Sequence, residues 1–230
     1  MKISGFRKLT LLDFPEHMAA TVFTPGCNLR CPFCHNAGLV TDLSNAENFS
    51  EDEVLSYLEK RKGVLDGVCI TGGEPLLWPD IADFLRKVKD IGLAVKLDTN
   101  GTFPQKLREL VEAGLVDYVA MDIKNSKARY AETVDIENFD ITPIEESVSY
   151  LLSGACDYEF RTTVTDELHT EADIESAAKW IAGAKKYFLQ CFVDSGNIIG
   201  KNLSAPSAKK LENMRNLASQ YIDAVSVRGI

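Results

Sequence analysis

Apolar residues fall along this chain in two alternating patterns. Short runs rich in β-branched and aromatic residues occupy 19–24, 67–71, 94–99, 118–123, 158–164 and 187–192. Each is nearly apolar throughout, which is how a strand covered on both faces reads. Between them lie longer stretches with apolar residues at helical spacing. Ser50-Glu51-Asp52-Glu53 is a capping box that opens a helix toward Arg61, and Gly63 follows its end. Pro79 stands near the start of a helix running to Ile91, with Gly92 beyond it. Further helices are predicted over 104–113, stopping at Gly114, and over 143–152, 171–182 and 207–221. Residues 224–228 read as a seventh strand, and 2–15 as a short hairpin ahead of the first core strand.

Strand–helix alternation with crossovers of this length predicts an α/β fold, a parallel sheet with outer helices. Six such units are too few for a full eight-stranded barrel. An open, partial barrel or a doubly wound sheet remains. In both, ligands bind at the C-terminal ends of the strands, so the residues there carry the functional information. The 230 residues contain no repeat, low-complexity segment or long linker, and 1–230 is read as one domain.

Charge narrows the partners. The net charge is −9, which leaves no basic surplus to neutralise phosphates and argues against nucleic-acid binding. No run approaches the roughly 18 apolar residues that span a bilayer, and residues 1–13 have no continuous apolar signal core. The expectation is a cytoplasmic protein with no membrane partner, in a compartment where cysteines stay reduced or bind metals. Of six cysteines, Cys69, Cys156 and Cys191 stand alone in apolar contexts and read as buried small side chains.

The other three are clustered in Thr24-Pro25-Gly26-Cys27-Asn28-Leu29-Arg30-Cys31-Pro32-Phe33-Cys34-His35-Asn36, a loop directly after the first core strand. Such spacing lets three thiolates converge on one metal centre. A zinc knuckle would need His35 as fourth ligand, and its position next to Cys34 makes joint chelation awkward. A [4Fe–4S] cluster normally takes four thiolates. With three, one iron keeps an open position for a ligand.

Other strand ends carry matching chemistry. Thr71-Gly72-Gly73-Glu74-Pro75 follows the second strand. Paired glycines let a backbone approach a ligand closely, and a carboxylate beside them can accept from an ammonium group. Asp98-Thr99-Asn100-Gly101 ends the third strand, and Asp122 with Lys124 ends the fourth. Two strand-end carboxylates on adjacent strands could coordinate a hard cation together with backbone carbonyls. Arg161 interrupts the fifth strand, and a buried arginine is costly unless paired, so a ribose or carboxylate contact is expected. His17, His169, Trp78 and Trp180 read as core or surface residues.

Cys-x3-Cys-x2-Cys with an aromatic before the third cysteine resembles the radical S-adenosylmethionine (SAM) superfamily. That resemblance implies a partial (β/α)6 barrel and one [4Fe–4S] cluster on Cys27, Cys31 and Cys34, with SAM chelating the open iron. Gly72, Gly73 and Glu74 resemble the family's motif for the methionyl amine. The strand-end aspartates and the His35-Asn36 pair look like those of glycyl-radical-enzyme activases. On that match Asp98 and Asp122 would be side-chain ligands of a monovalent cation, and Thr99 and Ala120 would offer carbonyls. Asn36, Asn100 and Lys124 would lie near the cofactor's polar groups, Phe33 near the adenine, and Gln190 near the nucleoside. No catalytic side chain beyond the cluster and SAM is implied, because a hydrogen atom moves rather than a proton.

The opening 5–15 and the ending Val225-Ser226-Val227-Arg228-Gly229 resemble the activating proteins of anaerobic ribonucleoside-triphosphate reductase. The implied partners are that glycyl-radical enzyme and a flavodoxin or ferredoxin as electron donor. The alternative is a radical SAM enzyme acting on a small molecule or another peptide.

Overall fold

The computed structural model describes residues 1–42 and 47–229. Its sheet contains β1 (Gly5–Thr10), β2 (Ala19–Thr24), β3 (Gly67–Gly72), β4 (Ala94–Thr99), β5 (Tyr118–Asp122), β6 (Asp157–Val164), β7 (Tyr187–Cys191) and β8 (Val225–Arg228). Their order across the sheet is their order in the chain. β1 runs antiparallel to β2, and every later neighbour pair is parallel. The crossovers carry α2 (Glu51–Lys60), α3 (Ile81–Ile91), α4 (Pro104–Glu112), α6 (Thr142–Leu152), α7 (Glu171–Trp180) and α8 (Ala208–Ala218), while α1 (Ala37–Thr41) and α5 (Tyr130–Val134) are short additions.

This order decides between the two architectures left open by the sequence. A doubly wound sheet reverses its strand order at a switch point; this sheet does not. Crossovers of one hand therefore place the helices on one face, and the twisted sheet curls into an open partial barrel of six strand–helix units that ends in β8. β1 and β8 are the free edges. Among the described residues no helix is long and apolar enough to cross a membrane.

The core strands are covered on both faces, as expected, but their two faces differ in polarity. Their outward residues, such as Val22, Ile70, Leu97, Val119, Phe160 and Leu189, join helix residues such as Leu58, Phe84, Leu107, Val148 and Met214 in one apolar core. Their inward residues alternate with these and are largely polar. On β4 they include Lys96 and Asp98, on β6 Glu159 and Arg161. These charges tolerate the interior because they are paired across the inner face: Arg228 of β8 reaches past β7 to donate to both Glu159 oxygens of β6, at 3.1 and 3.2 Å. A short polar interruption in an apolar run thus marks the inner face rather than a break in the strand.

The opening segment is more than a hairpin. After β1 it folds beneath the barrel, where Phe14 packs with Ala19, Ala94 and Tyr118. The His17 ring stacks on Phe14 with centroids 4.0 Å apart. At Gly67 a Cβ would come within 2.8 Å of the Phe14 ring. The aromatic plug closes the N-terminal end, so the opposite end, where the strands finish, is the open one.

Candidate functional site

At that open end lies a cleft of about 230 Å³. β2 leads into it through the cysteine loop, and β3 to β7 each reach its wall, through Gly72, Asp98, Asp122, Arg161 and Gln190. Cys27, Cys31 and Cys34 all line it. Cys31 is buried, and the other two are half-buried. The loop is shaped by its own backbone, with the Cys34 amide donating to the Cys31 carbonyl at 3.1 Å. Cys27 Sγ accepts from the Leu29 amide at 3.4 Å and from Asn100 Nδ2 at 3.7 Å. Burial pushes all three thiols up, Cys31 to about 12, and the Lys124 ammonium only partly offsets this. Such thiols are inert by themselves and ionise when a cationic centre lies among them.

Among the described residues no three His, Cys, Asp or Glu side chains converge on the spacing that a single ion requires. Three thiols spread around a cleft, with no fourth cysteine on its wall, fit a larger cluster with one open corner.

The Gly72-Gly73 turn is built against the cysteine loop. The Gly73 amide donates to the Thr24 carbonyl and the Glu74 amide to the Gly26 carbonyl, both at 2.8 Å. Gly72 has φ +114°, and a Cβ there would lie 2.5 Å from the Thr24 amide nitrogen. A Cβ at Gly73 would lie 2.6 Å from the carbonyl carbon of Gly26, and nearer still to its oxygen. Only glycine permits this approach. Asn36 Nδ2 donates to the Gly72 carbonyl at 2.6 Å, tying the far end of the loop to the same turn.

Glu74 departs from its expected place on the wall. Its side chain is 0% exposed and turned away from the cleft. Oε1 accepts from the Leu76 amide at 3.1 Å and Thr99 Oγ1 at 2.9 Å, and Oε2 from the Asn100 amide at 2.7 Å. Burial raises its carboxyl to about 7 against these three bonds. Glu74 bolts the glycine turn to the end of β4. Asn100 continues that link by donating to Asn28 Oδ1 of the cysteine loop at 2.9 Å.

The strand-end aspartates also have different partners from those expected. Asp98 Oδ1 accepts from Lys96 Nζ, and Asp98 Oδ2 from Arg161 Nη1 at 3.2 Å. Asp122 Oδ1 accepts from Arg161 Nε at 3.0 Å, and Asp122 Oδ2 from Lys124 Nζ at 2.9 Å. All four carboxylate oxygens are engaged by side-chain cations. Thr99 lines the cleft, whereas Ala120 is buried away from it within the β4–β5 ladder. With every carboxylate oxygen already taken by a cationic side chain, the pair does not fit a bound alkali cation. Arg161 meets the carboxylate expectation through protein carboxylates, while remaining on the cleft wall.

Phe33 also lines the cleft, with Lys124 Nζ 5.9 Å from its ring centroid and the His169 ring against its edge. His169 is fully buried. Its Nδ1 accepts from the Thr165 amide at 3.2 Å, so Nε2 carries the proton and donates to the Lys124 carbonyl at 2.9 Å. It holds the segment after β5 in place, a role that nothing in its sequence context signals. Lys96 had a signal: it precedes Asp98 by two positions, so both lie on one strand face.

A radical SAM superfamily model matches residues 21–151, the stretch that holds the cysteine loop, the glycine turn and both aspartates. The chain belongs to the radical SAM superfamily. A protein of Methanocaldococcus jannaschii named as a glycyl-radical enzyme activating enzyme is 32% identical over 99% of this chain and 96% of its own length. The pyruvate formate-lyase-activating enzyme of Clostridium pasteurianum is 31% identical over 54% of this chain and 52% of its own. The structure of Streptococcus suis SuiB bound to S-adenosylmethionine matches 91% of this chain and 52% of that chain, at TM-score 0.68 and 14% identity, a likeness of fold. Within the radical SAM superfamily the chain groups with the glycyl-radical-enzyme activating enzymes. Membership implies a [4Fe–4S] cluster and SAM as cofactors.

In this radical SAM protein the charge cluster also supports the fold. Burial raises the Asp122 carboxyl, but Lys124 and Arg161 outweigh it and hold the group at about 2, below its ordinary 3.8. A lowered carboxylate contributes stability that is complete above its unfolded value and is lost as pH falls through the folded one. At about 1.4 kcal/mol per pH unit, Asp122 contributes about 2 kcal/mol. Asp122→Asn should be less stable than wild type at pH 5, with the gap narrowing as pH drops below about 4. Anaerobic urea unfolding at several pH values measures it; a gap independent of pH would contradict the assignment.

Proposed function

We propose that this chain holds one [4Fe–4S] cluster through Cys27, Cys31 and Cys34, binds SAM beside it, and activates a partner glycyl-radical enzyme. The observation that carries the reading is the convergence of three thiols, the Gly72-Gly73 backbone and the Lys124/Arg161 cations on one cleft at the strand ends. When bound, the cluster supplies one electron that splits SAM into methionine and a 5′-deoxyadenosyl radical, which takes a hydrogen atom from a glycine of the partner.

The chain's own residues hold and shield. The glycine turn presents bare backbone to the methionyl end. Lys124 and Arg161 offer positive charge to its carboxylate. Asn36 and Asn100 supply amides, Gln190 lies on the nucleoside side, and Phe33 offers an apolar surface for the adenine. No side chain is required as a general base. Walls on six strands exclude water from the reactive end, and the gap between the β1 and β8 edges leaves room for a loop of a large partner.

Anaerobic ribonucleoside-triphosphate reductase is the proposed partner, on the resemblance of residues 5–15 and 225–229 to its activating proteins. A reduced flavodoxin or ferredoxin is the proposed donor. The reconstituted, reduced protein with SAM should release 5′-deoxyadenosine and produce a glycine-centred doublet in the electron paramagnetic resonance spectrum of that reductase. A doublet with pyruvate formate-lyase instead would reassign the partner. 5′-Deoxyadenosine without a doublet in either would turn the reading to a small-molecule or peptide substrate.

A further inference from the structure

The strand-end charge cluster has a composition that the family resemblance does not foresee. Two carboxylates, Asp98 and Asp122, face three cations, Lys96, Arg161 and Lys124, leaving one positive charge over. Each oxygen of the pair is taken by a different N–H group, and Arg161 bridges the two aspartates. Lys96 is 2% exposed, anchored on the inner face of β4, with its Nζ 3.8 Å from Cys69 Sγ.

A bound alkali cation would have to displace these donors. It would also enter a region that already carries surplus positive charge, where burial amplifies repulsion. We propose that Lys96 is a built-in replacement for an alkali cation: it neutralises Asp98 from within the barrel, so that this protein binds SAM without sodium or potassium. The proposal rests on the SAM-binding reading above. It makes Lys96 a positioning residue. The ammonium holds Asp98, Asp98 holds Arg161, and the surplus charge of Arg161 and Lys124 remains at the cleft for the anionic end of the ligand. A lysine tethered to the strand is present at every salt concentration, whereas a bound ion is present only above its dissociation constant.

The test uses the reconstituted protein under anaerobic conditions in potassium, sodium or choline chloride at equal ionic strength. Equilibrium binding of SAM and thermal unfolding are both measured. Wild type should give the same SAM affinity within twofold in all three salts, and the same melting temperature. Lys96→Gln removes the ammonium and frees one Asp98 oxygen; its SAM affinity should be at least tenfold tighter in potassium or sodium than in choline. Lys96→Arg retains the charge and should stay insensitive to the salt. A wild type whose affinity falls tenfold in choline overturns the proposal, as does a Lys96→Gln protein as indifferent to salt as wild type. Should Lys96→Gln fail to fold, the wild-type measurements still decide. Should wild type bind no SAM in any salt, the functional reading fails; a wild-type melting temperature raised by sodium or potassium over choline would then separately sink the role of Lys96.

Discussion

Cys31→Ala should yield a folded protein that retains no iron–sulfur chromophore after reconstitution and releases no 5′-deoxyadenosine on reduction with SAM. Cys31 is the middle donor, shared by both spacings of the motif, and its thiol is the most deeply buried of the three. Two remaining thiolates are too few for a cluster that normally takes four. No other cysteine can step in. Cys69 lies beside Lys96 on β3, Cys156 precedes β6, and Cys191 ends β7 facing away from the cleft. The cost to the fold should be near 1 kcal/mol, the ordinary effect of a small truncation. Iron and sulfide content, visible absorbance and far-ultraviolet circular dichroism separate the two effects, with Cys156→Ala as a control that keeps its cluster. Full iron content and undiminished product in Cys31→Ala would rule out the ligand assignment.

Gly73→Ala should be nearly as damaging, by a different route. The added methyl would overlap the Gly26 carbonyl, a backbone group with nowhere to go. Relief requires breaking the bonds from the Gly73 amide to Thr24 and from the Glu74 amide to Gly26, which hold the turn against the cysteine loop. Overpacking of this kind costs about 3 kcal/mol. Because the same two strand ends carry the thiols and the proposed methionyl site, SAM affinity should fall at least tenfold alongside the melting temperature. Gly38→Ala is the matched control. Its Cβ would meet Asn197 Nδ2 at an ordinary 3.5 Å, so both quantities should stay close to wild type. Equal melting temperatures for Gly73→Ala and wild type would mean that the close approach at this turn is not needed.

The local signals in the chain carried far. All six apolar runs are strands, 224–228 contains β8, and the capping box at Ser50 opens α2 with both of its reciprocal bonds. These features depend on residues a few positions apart, so periodicity and caps report them directly. α1 and α5, five residues each, were not legible because neither has a side-chain cap or room for a periodic pattern. The candidate site was legible wherever spacing sufficed. The cysteine loop, the glycine turn, Asp98, Asp122, Lys124, Arg161 and Gln190 do meet at one cleft. Glu74 did not follow, because adjacency to a ligand-facing turn does not set the direction of a side chain.

Chain order and residue type are therefore enough for the alternation of strands and helices, for three thiols on one loop, and for glycine beside them. Each is a property of a short stretch of backbone. The choice of open barrel over doubly wound sheet, the polar inner face and the partners of each charge belong to the folded molecule alone. They depend on which strands become neighbours, and electrostatic pairing acts through space across residues as far apart as Asp98 and Arg161. That is why two aspartates that read as metal ligands along the chain are found, once folded, already neutralised by three cations of the same protein.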